Sequence, residues 1–149
     1  MIKNHIQSEI IQHFKYKPTS GQKILTNNLA VFVVESEENA VFILKGYAGT
    51  GKTTMLSAFV KTLKKFKFRS VLLAPTGRAA KVLSSYTGQA AYTIHKMIYR
   101  QRSSSDGMGR FELDKNLFKD TFFIIDEASM ISNESAETSI FGSGRLLDD

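Results

Sequence analysis

The feature that most constrains this chain is a glycine-rich loop, GYAGTGKT, at residues 46–53. The apolar run AVFIL before it predicts a buried strand at residues 40–44. The segment after it, TTMLSAFVKTLKKF, has the apolar spacing of an amphipathic helix. The loop matches the pattern G-x-x-x-x-G-K-[ST] in full, between a strand and a helix as that pattern requires. The sequence therefore predicts a strand, a phosphate-binding loop and a helix in succession.

Such a loop suits phosphate oxygens because glycines free the backbone to turn its N–H groups inward around those oxygens, and the following helix offers its positive N-terminal end. Lys52 adds a positive charge at the β and γ phosphates, and Thr53 has the hydroxyl that a bound Mg²⁺ needs. The candidate nucleotide site of this loop comprises Gly46, Ala48, Gly49, Thr50, Gly51, Lys52, Thr53 and Thr54.

A second candidate site follows the apolar run of TFFIIDEASM, which predicts a buried strand ending in Asp126 and Glu127. Asp126 is expected to hold Mg²⁺ through water, and Glu127 to orient and deprotonate an attacking water. The alternative is a strand end with two solvated acids. Beside a complete phosphate loop, an acid pair favours a hydrolysing motor-type ATPase over a small-molecule kinase or a GTPase.

The rest of the chain alternates helices and strands. Apolar spacing predicts helices at residues 2–14 and from Thr19 to about residue 35, a buried strand at 69–75, a helix from Thr76 to a glycine stop at Gly88, and a short helix at 91–100. This alternation indicates an α/β fold whose mostly parallel sheet is covered on both faces and binds ligands at the carboxyl ends of its strands.

Composition narrows the class of protein. The net charge of +6, from 20 Lys and Arg against 14 Asp and Glu, favours an anionic partner such as nucleotide or nucleic acid. Part of it lies in KTLKKFKFR at 61–69, where a solvated helix end explains the charge better. Because the chain has no cysteine, thiolate chemistry and disulfides are excluded. With no apolar run near the roughly 20 residues of a membrane span, a soluble cytoplasmic protein is the default expectation.

Gln22 has two interpretations. Thr19 and Gln22 form a T-x-x-Q capping box, which accounts for both residues as a helix start. Alternatively, the amide of Gln22 contacts adenine, since an amide both donates and accepts. Composition does not choose between them.

Five motifs in order carry a resemblance to a known family. PTSGQ, GYAGTGKTT, LLAPTGRAAKVLS, TIHKMI and IIDEASM resemble the Q motif and motifs I, Ia, Ib and II of the RecD-like DNA helicases of superfamily one, class B. The resemblance runs from about residue 18 to residue 130. It implies a P-loop NTPase with a RecA-like three-layer α/β/α fold, ATP and Mg²⁺ as cofactors, and 5′ to 3′ translocation along single-stranded DNA.

The resemblance also implies roles for individual residues. Gln22 would read adenine, the phosphate loop through Lys52 and Thr53 would bind phosphate and metal, Asp126 would bind metal, and Glu127 would be the catalytic base. The residues implied to contact DNA are Thr76, Gly77, Arg78, Thr93 and His95. Without the resemblance, Thr76 is better explained as a helix N-cap and His95 as a packing histidine.

Residues 101–118 occupy the place where similar helicases carry a small hairpin that helps to separate the duplex. Met108 or Phe111 would then lie near its tip as an apolar wedge, although a flexible surface loop is an equal alternative. Residues 1–38 are expected to form the N-terminal helices of a single domain that spans residues 1–149. The printed sequence contains no motif III and no second RecA-like domain.

The sequence is therefore expected to be part of a longer helicase, and this fragment to bind nucleotide weakly without unwinding. Its expected partners are single-stranded DNA and, as candidates, repair or replication proteins; a monomer is the default. The alternatives are a stand-alone nucleotide-dependent DNA or protein binding module, and a different P-loop enzyme such as a nucleotide kinase.

Overall fold

The computed structural model describes residues 1–102, 109–133 and 140–149. The chain folds as two compact units, Met1–Ser70 and Val71–Asp149. In chain order the elements are α1 (Ile2–His13), α2 (Ser20–Glu35), α3 (Lys52–Lys65), β1 (Arg69–Ala74), α4 (Gly77–Thr87), β2 (Ala91–Thr93), α5 (Ile94–Ile98), β3 (Tyr99–Arg102), β4 (Arg110–Leu113), β5 (Thr121–Ile125) and a 3₁₀ turn at Ala128–Met130. Among the described helices, none is long and apolar enough to cross a membrane.

The first unit is built on three helices, with α1 packed against both α2 and α3. The predicted apolar faces form its core, where Ile6 and Ile10 of α1 are completely buried and Met55 of α3 nearly so. One apolar residue of α2 lies outside this core, since Ile24 is 62% exposed. Thr26 is completely buried instead, and its hydroxyl donates to the carbonyl of Lys23 at 2.8 Å, which satisfies the polar group inside the core.

The strand predicted at residues 40–44 is wrong: the structure shows no ladder there. The segment still alternates, since Val41 and Ile43 are 81% and 71% exposed while Phe42 turns inward against Phe32, with ring centroids 5.4 Å apart. An apolar run shows a local preference for extended backbone, but a strand exists only where a neighbouring strand supplies hydrogen bonds. No such neighbour pairs with this segment among the described residues.

The basic run at 61–69 is a helix end, as the sequence indicates. Helix α3 stops at Lys65, and the backbone of Lys67 takes a left-handed φ of 62°. Phe68 N then donates to the carbonyl of Leu63 at 2.9 Å, the six-residue closure of a helix C-terminus. Lys65 also pairs with Glu9 at 2.6 Å, so part of the charge is neutralised on the surface.

The second unit contains a three-stranded sheet in the order β2-β1-β5. Strand β2 is parallel to β1, with Leu72 opposite Ala91 and Ala74 opposite Thr93. Parallel strands place their carboxyl ends at one edge, so the residues after β1, β2 and β5 follow that edge. The predicted α/β architecture with a parallel sheet is confirmed here. Helix α4 is confirmed to the residue, with Thr76 as its N-cap and Gly88, at φ 70°, as its C-cap.

The short helix predicted at residues 91–100 is correct only for its middle. The first three residues form β2, because pairing with β1 overrides the local preference, and the last ones enter β3. Strand β5 is correctly predicted, but only Ile124 is buried; Phe123 and Ile125 are each 42% exposed. The alternation follows from a strand with one covered face.

The hairpin proposed within residues 101–118 has its paired strands in β3 and β4, where Arg100 lies opposite Glu112. Phe111 as a tip wedge is wrong. It lies within β4, and its ring stacks on Phe141 with centroids 4.6 Å apart. Burial of a large apolar ring beside another explains this position better than solvent exposure at a tip. Met108, the other predicted wedge, lies outside the described residues.

Candidate functional site

The glycine loop is shaped by two left-handed backbone positions. Gly49 has φ 77° and Gly51 has φ 85°, a region that only glycine enters without strain. A Cβ on Gly51 would also lie 3.2 Å from Gln22 Nε2, and one on Gly46 would lie 2.8 Å from Thr50 Oγ1. The left-handed conformation therefore favours glycine at residues 49 and 51, and at residue 46 a Cβ would displace the side chain of Thr50.

Lys52 folds back over this loop. Its Nζ donates to the carbonyls of Gly46 at 2.6 Å and Tyr47 at 2.7 Å. The hydroxyl of Thr50 also donates to the carbonyl of Tyr47, at 2.8 Å. The hydrogen bonds of Lys52 hold its ammonium group against the loop. A positive charge therefore lies where the motif predicts a phosphate.

Helix α3 begins at this loop without a side-chain cap. Gly51 is its N-cap, and its first intrahelical bond runs from Met55 N to the carbonyl of Gly51 at 2.9 Å. In contrast, α2, α4 and α5 each have a threonine whose hydroxyl accepts a first-turn N–H. The N–H groups at the start of α3 are therefore available to an anion, which the helix dipole also favours. Thr53 and Thr54 lie in this first turn, so these residues fit a nucleotide phosphate.

Gln22 contacts this loop and also caps α2. Of its two interpretations, the structure tests the capping box. The capping box is confirmed: Gln22 Oε1 accepts from Thr19 N at 2.9 Å, and Gln22 N donates to Thr19 Oγ1 at 3.3 Å. The same side chain reaches 28 residues along the sequence, where its Nε2 donates to the carbonyl of Thr50 at 3.3 Å. The sequence pattern does not reveal this second contact, because nothing in local spacing relates residue 22 to residue 50.

The acid pair lies at the carboxyl end of β5 in the second unit. Asp126 N donates to the carbonyl of Leu73 in β1 at 3.0 Å, which fixes Asp126 at the edge of the sheet. Its Oδ1 accepts from Glu127 N at 3.0 Å. Glu127 takes φ 55° and ψ 35°, a left-handed conformation that is uncommon for a residue with a Cβ. Asp126 is half-buried and Glu127 exposed, so both carboxylates are reachable from solvent.

The described residues form no preformed cluster of metal ligands. Within residues 1–102, 109–133 and 140–149, no group of three or more His, Cys, Asp or Glu side chains could hold a metal ion. Mg²⁺ at nucleotide sites is usually held by one or two side chains together with phosphates and water. Thr53 of the first unit carries a hydroxyl and Asp126 of the second unit a carboxylate, and each group is a type of ligand that Mg²⁺ accepts.

The predicted DNA contacts after β1 form a helix start. Thr76 Oγ1 accepts from Ala79 N at 3.2 Å, so the N-cap interpretation of Thr76 is confirmed. Thr76, Gly77 and Arg78 are all exposed. The cap uses one acceptor position of the Thr76 hydroxyl, and the donor proton of that hydroxyl can still form another hydrogen bond. The positive charge of Arg78 lies on the same exposed helix start.

The predicted contacts after β2 differ from one another. Thr93 caps α5, accepting from Lys96 N at 3.2 Å. His95 packs its ring against Phe141 at 4.9 Å and Tyr99 at 5.6 Å. The packing interpretation of His95 is thus what the structure supports directly, and a DNA contact by its ring stays a prediction.

Comparison with known proteins gives a family match. A family model described as an AAA domain matches residues 20–140, from the start of α2 past the acid pair. The match therefore includes Gln22, the glycine loop and Asp126. No solved structure matches the chain significantly.

Three relatives show what the chain is similar to. It is 31% identical over 81 residues to an ATP-dependent RecD2 DNA helicase of Deinococcus radiodurans. The match covers 54% of this chain and 11% of the relative. It is 32% identical over 115 residues to the ATP-dependent DNA helicase dda of Enterobacteria phage T4, covering 75% of this chain and 26% of the relative. It is 30% identical over 125 residues to the multifunctional conjugation protein TraI of Escherichia coli, covering 78% of this chain and 6% of the relative. The chain thus spans 26% or less of the length of each of these three relatives.

Proposed function

The chain belongs to the AAA domain family, and we propose that it is the ATP-binding and ATP-hydrolysing first motor domain of a 5′ to 3′ DNA helicase of the RecD-like class. The family and the three helicase and conjugation relatives support a nucleotide-dependent, helicase-like motor of superfamily one. The RecD-like class and its direction of movement are proposed from the resemblance of the five ordered motifs. The observation that carries the proposal is the glycine loop, whose left-handed glycines, folded lysine and uncapped helix start fit a triphosphate.

ATP would supply the phosphoryl group that is transferred to water, and Mg²⁺ would neutralise charge on the phosphates. The chain's own residues do the rest. The first-turn N–H groups of α3 bind phosphate oxygens, and Lys52 exchanges the carbonyls of Gly46 and Tyr47 for the phosphates. Because Nζ already lies beside the loop, this exchange needs only a local movement of one side chain.

Thr53 and Asp126 are the residues proposed to hold the metal, the first through its hydroxyl and the second through water. Glu127 is proposed to accept a proton from the attacking water. Its backbone leaves the extended conformation of β5 for a left-handed one, which costs energy and is often found at functional sites. Gln22 is proposed to contact adenine with the donor proton and lone pair that its two observed bonds leave over.

Single-stranded DNA is the proposed track. Thr76, Gly77 and Arg78 supply an exposed helix N-terminus with a positive charge, which suits a backbone phosphate. Thr93 and His95 are proposed as a second contact. The excess of positive charge, +6 over the chain, is consistent with a polyanionic partner.

The test is equilibrium binding of a fluorescent ATP analogue to the 149-residue chain and to Lys52→Ala. Lys64→Ala is the matched control, because Lys64 is an exposed lysine near the end of the same helix. We expect Lys52→Ala to weaken binding at least about tenfold, since a charge-assisted contact to phosphate is worth roughly 1.5–3 kcal/mol. Lys64→Ala should bind as the wild type does. Equal affinities for wild type and Lys52→Ala would refute the phosphate-loop assignment.

A further inference from the structure

Tyr16 is an exposed aromatic residue that has no role in the function proposed above. It lies in the segment between α1 and α2, and it is 69% exposed. Its ring contacts the ring of Phe14, with centroids 6.4 Å apart and the two planes at 76°. Phe14 is only 7% exposed. A buried ring therefore supports Tyr16 on one side, while most of the Tyr16 side chain stays open to a ligand.

The packing of α1 on α3 directs the chain toward the glycine loop. Glu9 pairs with Lys65 at 2.6 Å, and one turn later on α1, His13 Nδ1 lies 3.2 Å from Thr62 Oγ1. The later residue of α1 thus contacts the earlier residue of α3, so the two helices run antiparallel. The end of α1 therefore points toward the start of α3, where the glycine loop lies.

The start of α2 fixes the other end of the segment that contains Tyr16. Gln22 Oε1 accepts from Thr19 N at 2.9 Å, and Gln22 Nε2 donates to the carbonyl of Thr50 in the glycine loop at 3.3 Å. Because Tyr16 precedes Thr19 by three residues, their Cα atoms are at most about 11 Å apart. The Tyr16 ring is therefore within reach of a base that contacts the amide of Gln22.

The charge around Tyr16 suits an anionic ligand. Lys15 and Lys17 adjoin it in the chain, and both are exposed. The sequence has no Asp or Glu between Glu9 and Glu35. The local charge is therefore positive, which favours the approach of a nucleotide triphosphate.

A base that binds through its edge still has two flat faces to cover. The amide of Gln22 can form hydrogen bonds only with the edge of a base. The ring of a tyrosine is flat and rigid, and it stacks on the face of a base with little dependence on which base it is. We propose that Tyr16 stacks on the base of the bound nucleotide, a role that rests on the proposed function and adds a residue outside the five motifs to the nucleotide site.

Tyr47 is the other exposed ring near this site. It is 89% exposed, and its backbone carbonyl accepts from Lys52 Nζ at 2.7 Å. Tyr47 thus lies at the proposed phosphate end, and the ribose of a nucleotide separates the phosphates from the base. Tyr16, which is close to Gln22 in the chain, is placed nearer to the proposed base end.

The experiment measures displacement of a fluorescent ATP analogue that is labelled on its ribose, so that its base is unmodified. The competitors are ATP, GTP and inorganic tripolyphosphate, which has phosphates but no base. The variants are Tyr16→Ala and Tyr16→Phe. Tyr86→Ala is the matched control, because Tyr86 is 58% exposed and lies in the second unit. Circular dichroism of each variant shows whether it is folded.

We expect Tyr16→Ala to raise the inhibition constants of ATP and GTP about tenfold each, as loss of one base stack does. The inhibition constant of tripolyphosphate should stay unchanged. Tyr16→Phe keeps the ring and should bind all three competitors as the wild type does, and so should Tyr86→Ala. A loss shared by ATP and GTP separates stacking from the edge contact of Gln22, which depends on the groups that each base presents.

A second measurement uses Tyr16→Trp. The chain has no tryptophan, so this variant has a single indole emission. ATP and GTP should quench that emission, and tripolyphosphate should not. Quenching by an oligothymidylate but not by ATP would overturn the proposal, because the ring would then contact a base of the DNA strand.

Three results of the displacement experiment would also overturn the proposal. The first is that Tyr16→Ala binds ATP as tightly as Tyr86→Ala does. The second is an equal loss for ATP and tripolyphosphate, which would show that the substitution disturbs the phosphate loop. The third is that Tyr47→Ala, and not Tyr16→Ala, weakens ATP binding without affecting tripolyphosphate.

These outcomes are distinguishable from those of the ATP proposal, which depends on Lys52. If Lys52→Ala weakens analogue binding and Tyr16→Ala does not, the stacking role alone is removed. If Tyr16→Ala weakens the binding of ATP and GTP and Lys52→Ala has no effect, the phosphate-loop assignment is removed and a base-binding site remains.

Discussion

The side-chain amide of Gln22 donates from Nε2 to the backbone carbonyl of Thr50 at 3.3 Å, across 28 residues of sequence. The same amide accepts from Thr19 N at the start of α2. One side chain thus closes a helix N-terminus and holds the glycine loop. The capping box, which the sequence explains as local chemistry, also positions the candidate phosphate site.

The two contacts of Gln22 can be separated by substitution. Gln22→Glu keeps an oxygen that accepts from Thr19 N, because glutamate also forms a capping box, but it loses the donor to Thr50 and places a carboxylate oxygen near that carbonyl. Thr19→Ala removes the hydroxyl that accepts from Gln22 N and leaves the contact with Thr50. We therefore expect Thr19→Ala to lower the free energy of unfolding by about 1 kcal/mol with little effect on ATP-analogue affinity.

Gln22→Glu should show the opposite: several-fold weaker analogue binding, because the loop loses its tether, and a smaller loss of stability. Urea unfolding and analogue titration of both variants give the two measurements. If the two variants lose affinity equally, the contact between Gln22 and Thr50 does not shape the site. A greater loss for ATP than for GTP analogues would support the adenine role of Gln22.

Gly51→Ala tests the backbone of the loop. The added Cβ would be strained by φ 85° and would lie 3.2 Å from Gln22 Nε2. We expect a loss of about 1–2 kcal/mol in the free energy of unfolding and at least tenfold weaker analogue binding. Gly21→Ala is the matched control, because it lies in the first turn of α2 with open space around its Cβ position and no positive φ.

Alanine at residue 21 should be neutral or stabilise the protein by up to about 1 kcal/mol, since it restricts the unfolded chain. Thermal unfolding with and without the analogue provides both readouts. The loop geometry is wrong if Gly51→Ala retains wild-type stability and affinity.

Glu127→Gln tests the proposed catalytic base. Glutamine is similar in size and keeps the backbone N–H that donates to Asp126 Oδ1, but its amide cannot accept the proton of water. We expect single-turnover ATP hydrolysis to slow by about 10²–10⁴, the range for loss of a general base, while analogue affinity stays within about threefold. Asp126→Asn should instead make analogue binding less dependent on Mg²⁺. Unchanged hydrolysis by Glu127→Gln would assign the base elsewhere.

Local features of this fold could be predicted from the sequence with accuracy. Helix α4 begins after Thr76 and ends before Gly88 as predicted, because a threonine cap and a left-handed glycine act within one helical turn. The phosphate loop is equally local, since its glycines, lysine and threonine are adjacent. Asp126 and Glu127 could be found because an apolar strand leads to them.

Features that depend on distant partners could not be predicted. Residues 40–44 have the composition of a buried strand, but strand pairing is decided by neighbours that the segment itself does not specify. Residues 91–93 look helical in isolation and become a strand because β1 lies beside them. Phe111 resembles an exposed wedge until Phe141, 30 residues later, provides a ring to stack on. The contact of Gln22 with Thr50 is hidden for the same reason.

Tyr99 and Asp149 form a hydrogen-bonded pair whose ionisation should make the free energy of unfolding depend on pH. Tyr99 is 8% exposed, and its hydroxyl donates to Asp149 Oδ2 at 2.5 Å. Burial, reinforced by this hydrogen bond, raises the pKa of Tyr99 above its ordinary 10.0. The hydrogen bond from Tyr99 lowers the pKa of Asp149. The pair thus holds its proton on the tyrosine and its charge on the carboxylate.

The sign of the pH dependence follows from the raised pKa of Tyr99. Above about pH 10 the unfolded chain releases this proton and the folded chain keeps it, so the free energy of unfolding falls as pH rises, by up to about 1.4 kcal/mol per pH unit for one group. Tyr99→Phe keeps the ring beside Phe141 but has no proton to release. We expect it to be less stable by about 1 kcal/mol at neutral pH, from the lost hydrogen bond, and to show a shallower decline above pH 10.

Urea unfolding followed by circular dichroism between pH 7 and about pH 11, the interval that brackets tyrosine ionisation, measures both effects. Tyr86→Phe is the control, because it removes a tyrosine hydroxyl from a side chain that is 58% exposed in the same unit. At acid pH the lowered pKa of Asp149 has the opposite sign: its contribution is present above its ordinary pKa of 3.8 and is lost as pH falls through the lower folded value. Parallel pH profiles for wild type and Tyr99→Phe would show that the hydroxyl of Tyr99 ionises as freely in the folded chain as in the unfolded one, contrary to the burial and hydrogen bond described here.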